Sequence, residues 1–136
     1  MICTHGYLNW DGTLYSHNGS AKQSWESYDY VPGINDGEDL WQKLVSRHAN
    51  VVFVFCGHVV KTGAARLTSK GVYGNDVYQM LADYQMRAQG GEGYLRLVEF
   101  LPDGKTVQVK SYSPLLDNYL TDDAQQFTLD LPPRPK

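Results

Sequence analysis

The run Val51-Val52-Phe53-Val54-Phe55, closed by Cys56-Gly57-His58, constrains this chain more than any other stretch. An unbroken series of β-branched and aromatic residues reads as a buried strand. The Gly and His that end it deliver an imidazole at the strand's C-terminal edge. Met1-Ile2-Cys3-Thr4, leading into His5-Gly6, has the same form. Between the two, Asp36 is placed to cap a helix whose first turn is acidic, Gly37-Glu38-Asp39. Leu40, Trp41, Leu44 and Val45 share one face of that helix, and Arg47 and His48 fall in its last turn, where cations suit the dipole. The order β–loop–α–β favours a crossover that leaves the two strands parallel.

The second half has a different texture. Segments 64–69, 76–84, 94–100 and 106–111 are strand candidates, and Leu101-Pro102-Asp103-Gly104 is a turn between the last two. Gln89-Gly90-Gly91-Glu92-Gly93 is a flexible connection between 76–84 and 94–100, so antiparallel hairpins are expected throughout. After Tyr112 the chain reads as irregular, with one late strand at 126–131. The expected class is α+β: a short parallel β–α–β unit, then antiparallel strands, with few helices. No linker divides the chain, which reads as one domain over 1–131 with a Pro-rich tail over 132–136. Residues 6–36 read as one long loop, a length that is often functional. A chain that opens directly into a buried strand resembles a piece of something larger, or one partner of an assembly.

Composition narrows the function classes. The chain has 136 residues and a net charge of −3, with Lys and Arg scattered, so no basic stripe exists to neutralise phosphates and no nucleic-acid partner is expected. No apolar run approaches the roughly 18 residues of a membrane span, and no signal peptide is visible, which makes the cytoplasm the default expectation. Ten Tyr, three Trp and four Phe suit a sheet-rich fold with a half-wet face or a subunit contact.

His5 and His58 are the first candidates for chemistry. Neutral imidazole suits Zn, Fe, Mn or Ni, and two parallel strands would hold the rings close together. A strand-end His is otherwise a hydrogen-bonded structural residue. Cys3 and Cys56 each lie two residues before a candidate ligand, so strand alternation puts Cys and His on one face, where a Cys-His-Cys-His set would suit zinc. The opposing reading makes both thiols small buried hydrophobes. Trp10, Trp25, Tyr28 and Tyr30 are either substrate platforms or packing residues, and Asp117, Asp122 and Asp123 read as a solvated face.

Asn50-Val51 through Gly57-His58-Val59 resembles the last motif of the calcineurin-like metallophosphoesterases, in which Gly-His-x-His ends a buried strand. Thr4-His5 resembles the preceding motif. Gly37-Glu38-Asp39-Leu40-Trp41 is similar to the family's intervening helix. Asn75 to Gln85, Gly90-Gly91-Glu92-Gly93-Tyr94-Leu95-Arg96, Tyr112-Ser113-Pro114 and Gln126-Phe127-Thr128-Leu129 resemble the C-terminal half of its bacterial members. The resemblance implies a partial metallophosphoesterase-like β-sandwich. It also implies chemistry in which two metals share a bridging aspartate and a hydroxide that attacks phosphorus in line. The family's Asp-x-His, Gly-Asp and Gly-Asn-His motifs do not occur in this chain, and position 60 holds Val60 where the final histidine is expected. By the resemblance His5 and His58 serve one metal, and the histidine missing at 60 would serve the other.

Two histidines are too few for a catalytic site, which normally presents three protein ligands and an open position. A local completion draws on Asn9, Asp11 or His17 from the loop after His5, although Asp11-Gly12 and Asn18-Gly19 are turn dipeptides. An intermolecular completion brings two His pairs together in a homodimer. With no completion, His5 and His58 are relics. The expected function is a metal-dependent phosphoesterase with a reduced site, completed across a homodimer and acting on small phosphodiesters or activated aryl phosphoesters. The alternative is a non-catalytic oligomeric fragment. By the resemblance Asp83, Tyr84, Gln85 and Arg87 follow a strand near the active rim.

Overall fold

The apolar runs form the middle of a four-stranded sheet. The computed structural model describes residues 1–16, 33–61 and 63–131. Among these the fold is α+β, with two β-sheets and few, short helices. The chain comprises two units, Met1–Asp83 and Tyr84–Lys136.

In the first unit β1 (Ile2–Cys3), β2 (Phe53–Cys56), β3 (Ala64–Lys70) and β4 (Asp76–Ala82) lie in the order β1-β2-β4-β3. β1 and β4 flank β2, both parallel to it, and β3 closes the edge antiparallel to β4. The parallel pairing expected of the two His-terminated strands is therefore present. The second strand is shorter than its apolar run: the Val51 N–H turns back to the His48 carbonyl at 3.0 Å, leaving Phe53 as the first strand residue.

The helix α1 (Gly37–Lys43) begins where the cap chemistry places it. The Asp36 carboxylate accepts from the Asp39 N–H at 2.8 Å, and the Asp39 carboxylate accepts from the Asp36 N–H at 3.4 Å, a reciprocal capping box. It ends earlier than its periodicity suggests. Leu44 leaves helical geometry at φ −130°, so Leu44 is exposed, while Val45 turns inward on a 3-10 turn, Val45–Arg47. The first core gathers Tyr7, Leu8, Val45, Val54, Val59 and Leu81, with Leu40 and Trp41 packed against it.

The long loop expected over 6–36 is partly structured. Tyr7, Leu8 and Asn9 are buried, and Leu8 pairs with Leu14 across a tight reversal at Gly12, making 7–15 a small inward-facing hairpin. Periodicity over so few residues carries no signal, and burial by β4 decides the matter. The Tyr7 hydroxyl donates to Gln79 Oε1 at 2.7 Å, and Gln79 Nε2 donates to Ser69 Oγ at 2.9 Å, so a buried amide in mid-strand is satisfied on both sides. Burial, then the neighbouring Cys56, pushes the Tyr7 phenol upward, so it stays a donor. Trp25, Tyr28, Tyr30 and the Pro-rich tail lie outside the described residues.

In the second unit β5 (Leu95–Phe100), β6 (Thr106–Ser113), β7 (Asn118–Leu120) and β8 (Phe127–Asp130) form an antiparallel sheet. β6 is central; β5 takes one edge, while β7 and β8 share the other, end to end. Two expectations change here. No hairpin joins β4 to β5, because both edges of β4 are already filled by β2 and β3. The glycine-rich link adopts positive φ at five successive residues, Gln89 to Gly93, and carries the chain into a separate sheet. The stretch after Tyr112 is not wholly irregular, since the three-residue β7 pairs with β6; so short a strand has too little alternation to be read. Inside this unit the Tyr84 hydroxyl meets Ser111 Oγ at 2.6 Å and Gln125 Oε1 at 2.9 Å. Arg96 donates to Gln125 Oε1 at 3.1 Å and to the Ala124 carbonyl at 2.9 Å, closing a buried polar network. Among the described residues no helix is long and apolar enough to cross a membrane.

The β5–β6 turn carries a testable pH dependence. The Asp103 carboxylate accepts from the Thr106 hydroxyl at 2.6 Å and from the Lys105 and Thr106 N–H groups, both at 2.9 Å. These bonds favour the ionised form and hold its pKa down to about 2. A depressed folded-state pKa means stability that is fully present above the ordinary value of about 3.9 and lost as pH falls through about 2. An NMR titration of the Asp103 carboxyl is expected to give its midpoint in that low range, and Asp103→Ala to flatten acid unfolding over that window. A midpoint at the ordinary carboxylate value removes the claim.

Candidate functional site at the C-terminal rim of the parallel strands

β1 and β2 run side by side toward one rim, the usual location of ligands in sheets with parallel strands. Their pairing continues past the strand ends: the Thr4 N–H donates to the Phe55 carbonyl, and the Gly57 N–H to the His5 carbonyl, both at 2.9 Å. His5 is therefore level with Gly57. On a continuing pleat His58 would face away from His5.

A local break in the pleat prevents this. His58 has φ +66°, and the Val59 N–H turns back to the Gly57 carbonyl at 2.7 Å, closing a three-residue turn about His58. A turn of this hand is rare and strained for a residue with a Cβ. It brings the His58 ring beside His5, with centroids 4.5 Å apart and planes tilted by 50°. Val59, 1 % exposed, lies in the core and anchors the turn, and Val60 is buried next to it. Position 60 thus faces inward. Strain held by adjacent packing and centred on a polar side chain is characteristic of functional positions.

His58 is half-buried and His5 exposed. Burial, then repulsion from His5, holds the His58 pKa below its ordinary value, with Asp83 acting in the opposite direction. The lowering favours the neutral His58 imidazole, the form able to donate a lone pair to a cation.

The other candidates are placed differently. Cys3 is level with Phe55, so the pleat puts Cys3 and Cys56 on opposite faces; Cys3 is exposed, Cys56 is buried with its thiol 3.5 Å from the Met80 carbonyl, and no disulfide joins them. Asn9 is fully buried: its Nδ2 donates to Thr13 Oγ1 at 3.0 Å and to the Leu14 carbonyl at 3.3 Å. Asp11 accepts from the Thr13 hydroxyl at 2.7 Å and the Thr13 N–H at 3.0 Å, as its turn dipeptide suggests. His17 lies outside the described residues. Among the described residues no three His, Cys, Asp or Glu side chains gather closely enough to hold a metal ion.

Tyr84 and Arg87 are engaged within the second unit. Tyr84 belongs to the buried network, and Arg87 pairs with Glu92 at 2.6 Å and covers the Tyr94 ring at 4.7 Å. Asp117, Asp122 and Asp123 are exposed. Nothing in the sequence marks Lys61. It follows His58 in the rim loop at φ +107°, with its Nζ 3.3 Å from the centre of the Trp10 ring, which gives Trp10 a cation partner as well as a packing role. No short motif marks such a pair, because Trp10 and Lys61 meet only through the fold.

No family model matches the chain, and no solved structure matches it. It is similar to YvnB, an uncharacterized protein of Bacillus subtilis (strain 168), at 38% identity over 112 residues covering 74% of this chain. The chain spans 9% of the length of that protein.

Proposed function

We propose that the chain is a metal-dependent phosphoesterase of reduced type, resembling the C-terminal half of a calcineurin-like metallophosphoesterase. The observation that carries this reading is the pair of imidazoles held 4.5 Å apart at the ends of adjacent parallel strands by a strained turn. The residues fit two nitrogen donors to one divalent ion, Zn, Mn, Fe or Ni. Among the described residues of one protomer no group of three His, Cys, Asp or Glu side chains gathers to hold that ion, which is consistent with completion by a second copy in a homodimer. A bound ion would supply a Lewis acid and a water acidic enough to ionise near neutral pH. His58, whose neutral form is favoured, and His5 would hold it at the rim. The Gly-Asn-His motif, whose histidine assists the leaving group in the family this chain resembles, does not occur in the sequence, so substrates with good leaving groups, small aryl phosphodiesters above all, suit this site best.

Purified protein is expected to retain a divalent ion, to hydrolyse an aryl phosphodiester slowly, and to lose that activity on chelation and regain it on adding Mn or Zn. Size-exclusion mass should show a dimer in the loaded form. Turnover that survives chelation sinks the reading. Protein that binds no metal and turns over nothing is instead the non-catalytic oligomeric fragment.

A further inference from the structure

We infer that Asp83 is a third functional group of this rim, a positioning carboxylate that faces the His58 imidazole and orients it as a ligand. This rests on His5 and His58 acting as a metal-binding pair. The sheet order makes the placement. β1, β2 and β4 are consecutive neighbours, all parallel, so His5, His58 and Asp83 follow the C-terminal ends of three adjacent strands at one rim. Cys56 pairs with Leu81, and one step on, a Cβ at Gly57 would stand 3.4 Å from the Ala82 carbonyl oxygen. His58 and Asp83 are the residues that follow Gly57 and Ala82, so they leave the sheet from neighbouring strand ends. The Asp83 N–H donates to the Gly63 carbonyl at 2.8 Å, so its backbone is tied to the far end of the loop that His58 opens.

The side chain is half-buried, and its charge is felt at His58, where it opposes the effect of burial and of His5. Among the described residues no three potential ligands close on one point, so Asp83 acts through His58 rather than as a direct ligand. A carboxylate facing one ring nitrogen favours the proton there and leaves the other nitrogen as donor to the cation. Chain topology alone brings Asp83 to His58, across 25 residues of sequence and the whole of β3.

Two measurements on the full chain test this. Ring 15N shifts of His58 in metal-free protein at pH 8 are expected to show one dominant tautomer, and a mixture in Asp83→Ala and in the isosteric Asp83→Asn. Calorimetric titration with Zn is expected to show affinity falling about 10–100-fold in both variants, with partial recovery in Asp83→Glu. An unchanged tautomer ratio in both variants overturns the inference, as does Zn binding that is equally tight in wild type and both variants. If wild type and the His5→Ala/His58→Ala variant bind Zn alike, the metal pair itself fails, while the tautomer measurement still decides whether Asp83 orients His58.

Discussion

Gly37→Ala is expected to cost about 3 kcal/mol or more, at or above the top of the usual range for overpacking, and to lower the melting temperature by on the order of 10 °C. Gly37 opens α1 and is buried where the helix start meets the 7–15 hairpin. The Glu38 N–H donates to the Tyr15 carbonyl and the Tyr15 N–H to the Tyr7 carbonyl, both at 2.9 Å. An added Cβ would overlap the Tyr7 carbonyl oxygen and crowd the Tyr15 nitrogen. Both obstacles are backbone, so no side-chain rotation relieves them, and the helix must lift from the hairpin. Gly74→Ala is the control. It has open space and only a left-handed φ of +79°, so it should cost no more than about 1–2 kcal/mol. Thermal unfolding by circular dichroism measures both; equal losses would mean that the hairpin yields and that the contact is not the constraint described.

His58→Gly is expected to abolish binding of divalent ions, by 100-fold or more, while making the protein more stable by about 1 kcal/mol. The two effects have separate causes. Under the proposed function, binding is lost because one of the two nitrogen donors is gone from a set that is already short. Stability rises because a side chain at φ +66° carries a backbone penalty of roughly 1–2 kcal/mol that glycine avoids, less the entropy glycine adds to the unfolded chain. His58→Asn, which keeps a Cβ at the same positive φ, should remove binding with a smaller stability change. Metal titration and denaturant unfolding report the two quantities independently. A residue retained for packing would behave in the opposite way, and a destabilised His58→Gly that still binds metal would remove His58 from the site. Gain of stability with loss of function is the usual signature of a strained functional position.

Much of the fold was legible because local chemistry and tertiary demand agree. The Asp36 cap needed only Asp36 and Asp39, three residues apart. The Asp103-Gly104 turn needed only the residues within it. β2 was readable because a β-branched run has few alternatives to a buried strand. The failures share a cause. Leu44 fits the helical period but is exposed, since the helix stops one residue short of it. The Tyr7–Tyr15 hairpin, the short β7 and the transfer of the chain out of the first sheet after β4 all depend on partners distant in sequence. No window of the sequence contains both halves of those contacts.

The candidate site divides the same way. By itself the sequence determined that two short strands lead into a histidine, that the strands run parallel, and that position 60 carries no ligand, because strand-forming character and strand-end composition are local properties; it did not determine burial, for β1 is half-buried at Ile2 and exposed at Cys3. Only the tertiary structure decided that the two rings meet, because His58 faces His5 through a positive-φ turn that the buried Val59 anchors. It also separated Cys3 from Cys56 by one step of register and brought the strand end that carries Asp83 beside the one that carries His58. Register and turn hand are fixed by packing across strands, where a shift of one residue exchanges the faces of a sheet.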